Sequence, residues 1–140
     1  MTRPLQVRGT DAIEVTFDPN LCAHAGLCLR GLPQVFNLQA RPWIQPEHAT
    51  ADELADTVRR CPSGALTYRR LDGGTEEAAE EGVSIRPVRN GPLYARGDIH
   101  LLDGEGNVLH RTTRAALCRC GSSGNKPFCD GTHVKAGFRS

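Results

Sequence analysis

Aromatic residues are scarce in this chain: one Trp, two Tyr and four Phe supply 5% of 140 residues, and hydrophobic residues together only 39%. So few large apolar side chains make a thin core for the length, and small cores usually need metals, disulfides or partners. Charge of one sign is lacking too. Seventeen Lys and Arg stand against 16 Asp and Glu, a net +1, which gives no electrostatic case for binding nucleic acid or an anionic membrane. No apolar run approaches the roughly 18 residues of a transmembrane helix, and the opening Met1-Thr2-Arg3-Pro4-Leu5 has no hydrophobic stretch of the signal-peptide kind. The expectation is a soluble cytoplasmic protein of one ordinary domain or two very small ones, with no nucleic-acid or membrane partner.

Cysteine is the support that remains. In a reducing compartment clustered cysteines mean metal more often than disulfide. Cys22, Cys28 and Cys61 lie in the first half, and Cys118, Cys120 and Cys129 near the end. Two sites follow more naturally than one. Between them residues 71–82 carry five acidic side chains and no basic one, which reads as a solvated linker. This divides the chain into modules 1–70 and 83–140. The second holds nine basic against four acidic residues, a bias that the neutral total hides.

Ile13-Glu14-Val15-Thr16-Phe17 alternates and reads as a strand ended by Asp18-Pro19-Asn20. Thr50 with Glu53 forms a capping-box pattern, opening a helix that places Leu54, Ala55 and Val58 on one face and stops before Pro62. A short strand is expected at 65–69, and Pro33 limits any helix around 32–36 to one or two turns. Beyond the linker, short strands are expected at 83–85, 93–96, 99–102 and 108–113, joined by turns such as Asn90-Gly91.

The string from Cys118 to His133 brings three thiols and an imidazole together. Its Cys-x-Cys pair is tight for most zinc knuckles. It can place two thiolates on one iron while Cys129 and His133 hold another, so the spacing favours a two-iron cluster over a Cys3His zinc site. Gly121, Gly124 and Gly131 let the backbone wrap an inorganic core, and Asp130 is placed to cap a short helix. These residues complete the motif C-x-C-x2-(S/T)-x3-P-x-C-D-G-(S/A/T)-H, and the segment resembles the CDGSH-type iron–sulfur proteins. That resemblance implies a 2Fe-2S cluster on Cys118, Cys120, Cys129 and His133, redox-active and acid-labile, with roles in electron transfer, cluster transfer or redox sensing. The family's strand-swapped dimer leaves a homodimer open. Arg119 and Lys126 read either as solvated charges or as a docking face for an acidic redox partner. His100 and His110 read as packing or surface residues.

Cys22-Ala23-His24-Ala25-Gly26-Leu27-Cys28 with a remote Cys61-Pro62 has the outline of a mono-cluster ferredoxin, except that Ala25 stands where the middle cysteine belongs. With the stretches 30–36, 41–44 and 61–66, residues 13–69 resemble the divergent mono-cluster 4Fe-4S ferredoxins. The resemblance implies a cubane-type cluster on Cys22, Cys28 and Cys61. The missing thiol leaves 3Fe-4S open, or 4Fe-4S with His24, water or an outside ligand on the last iron. Trp43 reads as core and His48 as exposed.

The combined expectation is an α+β chain: a small ferredoxin-like βααβ module followed by a β-rich CDGSH module. Its function would be electron transfer through two different clusters, with a redox or pH sensor or cluster donor as a second class and a zinc-stabilised interaction module as a third. Catalysis on an organic substrate is least supported, because no nucleophile–base set or phosphate loop stands out.

Overall fold

The computed structural model describes residues 3–140. It divides into two compact units. One comprises the chain up to Asn20, Ala25–Cys61 and Ala65–Glu77; the other comprises Leu21–His24, Pro62–Gly64 and Ala78–Ser140. Two short segments from the cysteine-bearing part of the first half thus group with the C-terminal residues.

In the first unit β1 (Gln6–Gly9), β2 (Ile13–Phe17) and β3 (Leu66–Arg70) form an antiparallel sheet in that order, with Val15 opposite Tyr68 and Phe17 opposite Leu66. The alternation in β2 buries Ile13 and Val15 completely. Two helices, α1 (Leu27–Gly31) and α2 (Ala51–Arg59), and a 3-10 turn at Pro46–His48 lie between β2 and β3. At the start of α2 the capping box is complete: Glu53 N donates to Thr50 Oγ1 (3.1 Å) and Thr50 N to Glu53 Oε1 (3.0 Å). Leu54, Ala55 and Val58 then join Ile13, Val15, Val35, Phe36, Ile44 and Leu66 in one core. Trp43 sits edge-on to Phe17 at 5.0 Å and donates its indole N–H to Gln6 Oε1 (2.9 Å), so its polar end is satisfied at the core's margin. No helix forms over 32–36. The helix lies just before, because Leu32, preceding Pro33, is barred from helical torsions and has φ −137°.

The acidic stretch has no regular secondary structure, but its first half is pinned to β3. Arg70, its side chain only 8% exposed, pairs with Asp52 (3.0 Å) and Asp72 (2.8 Å). The guanidinium holds the Asp72 carboxyl down at about 2. Glu76 accepts the Arg70 backbone N–H at 2.7 Å.

The second unit is built on β4 (Ser84–Pro87), β5 (Leu93–Leu102) and β6 (Val108–Leu117), again antiparallel and in sequence order. The strands expected at 93–96 and 99–102 are one strand, with a register irregularity between Arg96 and Ile99. Asp103 makes the β5–β6 turn by accepting the N–H groups of Glu105 and Asn107, each at 2.9 Å. The core is thin: Ala95, Ile99 and Ala115 in one cluster, and Ala23, Ala116 and Cys129 in another. None of the described helices is long and apolar enough to cross a membrane.

Candidate metal centres

Beyond β6 the chain loops out and returns. Leu117 bridges to Phe128, Cys118 N donates to Pro127 O (2.8 Å) and Cys129 N to Ala116 O (2.9 Å). This closure sets Cys129 beside the end of the strand that delivers Cys118. Inside the loop Ser123 is buried, donating its hydroxyl to Phe128 O (2.6 Å) and accepting Asn125 N–H (3.0 Å). Cys118, Cys120, Cys129 and His133 line one cleft together with Gly91, Pro92 and Ser123.

The donors come in pairs. Cys118 Sγ and Cys120 Sγ are 4.0 Å apart, and Cys129 Sγ lies 3.5 Å from His133 Nδ1. Two sulfurs bound to one tetrahedral metal stand about 3.8 Å apart, and a sulfur and a nitrogen about 3.5 Å, given metal–ligand bonds of about 2.3 and 2.0 Å. Each pair therefore has the spacing of two ligands on one metal. Among the described residues no three His, Cys, Asp or Glu side chains converge as a single ion would require.

Backbone N–H groups point at the sulfurs: Ser122 N to Cys120 Sγ and Gly131 N to Cys129 Sγ, both 3.4 Å. Burial opposes ionisation of Cys118, but the amides of Ser123 and Gly121, with Cys120 and the Lys126 cation, outweigh it and pull that thiol below its ordinary range. Burial pushes the Cys129 thiol up, and the Asp130 carboxylate adds to this. The short helix α3 (Thr132–Lys135) carries His133, and its N-cap is Gly131, not Asp130 as expected. Asp130 instead ties the loop, accepting N–H from Gly124 (2.8 Å) and from Thr132 (3.0 Å), so the turn before the helix consumes its carboxylate. Arg119 is turned inward. It donates to Gly91 O (2.9 Å), Val88 O (2.8 Å) and Ser140 Oγ (2.7 Å) and lies 5.1 Å from the Phe138 ring centre, clamping the C-terminal segment. A sequence shows only its charge. Lys126 stays exposed.

Of the first-half cysteines, Cys28 lies on α1 and Cys61 just past α2, both packed against the core of the first unit. Cys22 belongs to the segment Leu21–His24, grouped with the C-terminal unit. Its Sγ accepts His24 N–H at 3.4 Å and lies 3.9 Å from His24 Nδ1. His48 is exposed with Nδ1 at 3.0 Å from Gln34 O, His100 faces Asp98, and His110 packs edge-on against Phe128.

Residues 8–71 match the family described as divergent 4Fe-4S mono-cluster, and residues 90–134 match the CDGSH-type iron-binding zinc finger. The YjdI proteins of Escherichia coli K12 and O157:H7 are each 41% identical over 59 residues, 42% of this chain and 78% of the relative. The chain belongs to the divergent 4Fe-4S mono-cluster family. To that mono-cluster domain it joins a CDGSH-type iron-binding domain, and it is an iron–sulfur protein. The two matched ranges enclose all six cysteines and His133.

Proposed function

We propose that this mono-cluster–CDGSH protein is an electron carrier with two different clusters: a 2Fe-2S centre on Cys118, Cys120, Cys129 and His133, and a cubane-type centre on Cys22, Cys28 and Cys61. When bound, such clusters supply one-electron exchange, and the chain's part is to ligate, orient and tune them. The observation that carries the reading is the pairing of donors in the C-terminal cleft. The Cys118–Cys120 pair and the Cys129–His133 pair, each at the spacing of two ligands on one metal, suit a group with two metals. N–H groups aimed at Cys120 and Cys129 offset the negative charge of the thiolates and raise the potential of whatever they hold.

At the N-terminal centre the chain leaves one iron without a thiolate. His24 Nδ1, 3.9 Å from Cys22 Sγ, stands wider than the Cys129–His133 pair, and we read it as a neighbour of the sulfur. The protein is read as a carrier and not a catalyst. A surface hollow lined by Asp52, Asp56, Arg59 and Arg70 holds the ion pairs Arg70–Asp52 and Arg59–Asp56, which engage those acids and bases with each other. A redox partner with an acidic face, docking at Lys126, and a cytoplasmic location complete the proposal.

Stepwise dithionite titration of anaerobically purified protein tests it. The visible absorption is expected to bleach in two reversible phases and to return on mixing with an oxidised electron acceptor. Colourless protein containing zinc would contradict the reading.

A further inference from the structure

Resting on the two-cluster reading, we infer that the clusters exchange electrons directly within one chain, across the contact of loop Cys22–His24 with Cys129–Gly131. Both loops belong to the same compact unit. Ala23, 7% exposed, packs in one apolar cluster with Ala116 and Cys129, the latter 4% exposed. Gly131 has φ +88°, and a methyl group added there would meet His24 Cδ2 at 3.1 Å, Ala23 O at 3.4 Å and His24 Cβ at 3.6 Å. The His24 side chain thus occupies the space that a side chain on residue 131 would need. His24 itself has φ +59°, an uncommon conformation for a residue with a side chain and one that the surrounding contacts must hold.

Each end of this contact reaches a sulfur. His24 N donates to Cys22 Sγ at 3.4 Å with Nδ1 3.9 Å from it, and Gly131 N donates to Cys129 Sγ at 3.4 Å. Hydrogen bonds and apolar packing thus lead from Cys22, a proposed ligand of one cluster, to Cys129, a proposed ligand of the other. Both ligand sets hold three thiolates, so the relay carries one electron between the Cys22 side and the Cys129 side, one centre oxidised by one as the other is reduced by one. No proton moves and no bond breaks.

EPR power saturation on fully reduced, full-length protein tests the inference, because both centres are then paramagnetic whichever cubane form is present. The C-terminal signal should need several-fold more microwave power to saturate than in Cys61→Ala, which lacks the other cluster. In anaerobic wild type with six irons, poised so that only the C-terminal centre is reduced, the oxidised 4Fe-4S centre is diamagnetic and the enhancement should vanish, a control needing no variant. After flash reduction, His24→Ala should keep its iron and equilibrate several-fold more slowly. Equal saturation with five or six irons present would overturn the relay alone. An unchanged rate in His24→Ala, or iron lost from it, would overturn the His24 path. Only two irons per chain would instead bring down the two-cluster reading.

Discussion

His133 is the one nitrogen among the C-terminal donors, and its lone pair is all that it offers a metal. A proton that takes the pair ends the bond, whereas a thiolate stays bound as an anion to a cation. Acid should therefore release the C-terminal chromophore before the N-terminal one. His133→Cys should slow that release and lower the potential, since it adds negative charge; stopped-flow absorbance after a drop in pH and potentiometric titration check both. Gly64 gives a residue-scale test of the scaffold. It has φ +74°, and a Cβ there would stand 2.5 Å from the Arg114 carbonyl oxygen. Gly64→Ala should lose about 1–3 kcal/mol from backbone strain and more from the clash, lowering the denaturation midpoint.

Elements differ in how openly the sequence announces them. β2 and α2 were legible because a strict alternation and a capping box are local signals, and both lie where expected. Thr50→Ala should cost about 1 kcal/mol, measurable as a shifted thermal midpoint, because it frees the Glu53 N–H while leaving the bond from the residue-50 N–H to the Glu53 carboxylate in place. β1 went unread: Gln6–Gly9 contains one apolar residue and is an exposed edge strand, so its only reason to be extended is the partner strand β2. The merging of two expected strands into β5 is also tertiary, since β6 runs opposite both halves and carries the chain across Gly97 and Asp98. The C-terminal ligands were readable because they sit within sixteen residues. The close approach of Ala23 and His24 to Gly131 was not, as alanine and glycine carry no chemistry that distinguishes a contact from a spacer.

At the scale of the molecule, the segments grouped with the C-terminal unit include Leu21–His24, yet the four C-terminal donors all come from residues 118–133. Assembly of that centre therefore does not require Cys28 or Cys61. Cys61→Ala should abolish the N-terminal absorption and leave the C-terminal spectrum, and Cys118→Ala the reverse; loss of both from either change would contradict separate centres. The central claim is that one chain holds two clusters of different kinds, and iron and sulfide counting with EPR on protein purified without air tests it most directly. The account predicts six irons per chain, EPR-silent until reduced, for 4Fe-4S beside 2Fe-2S. Air should convert this to five irons with a signal in the oxidised state, because the iron without a thiolate leaves first. An anaerobic count of two irons per chain would contradict it.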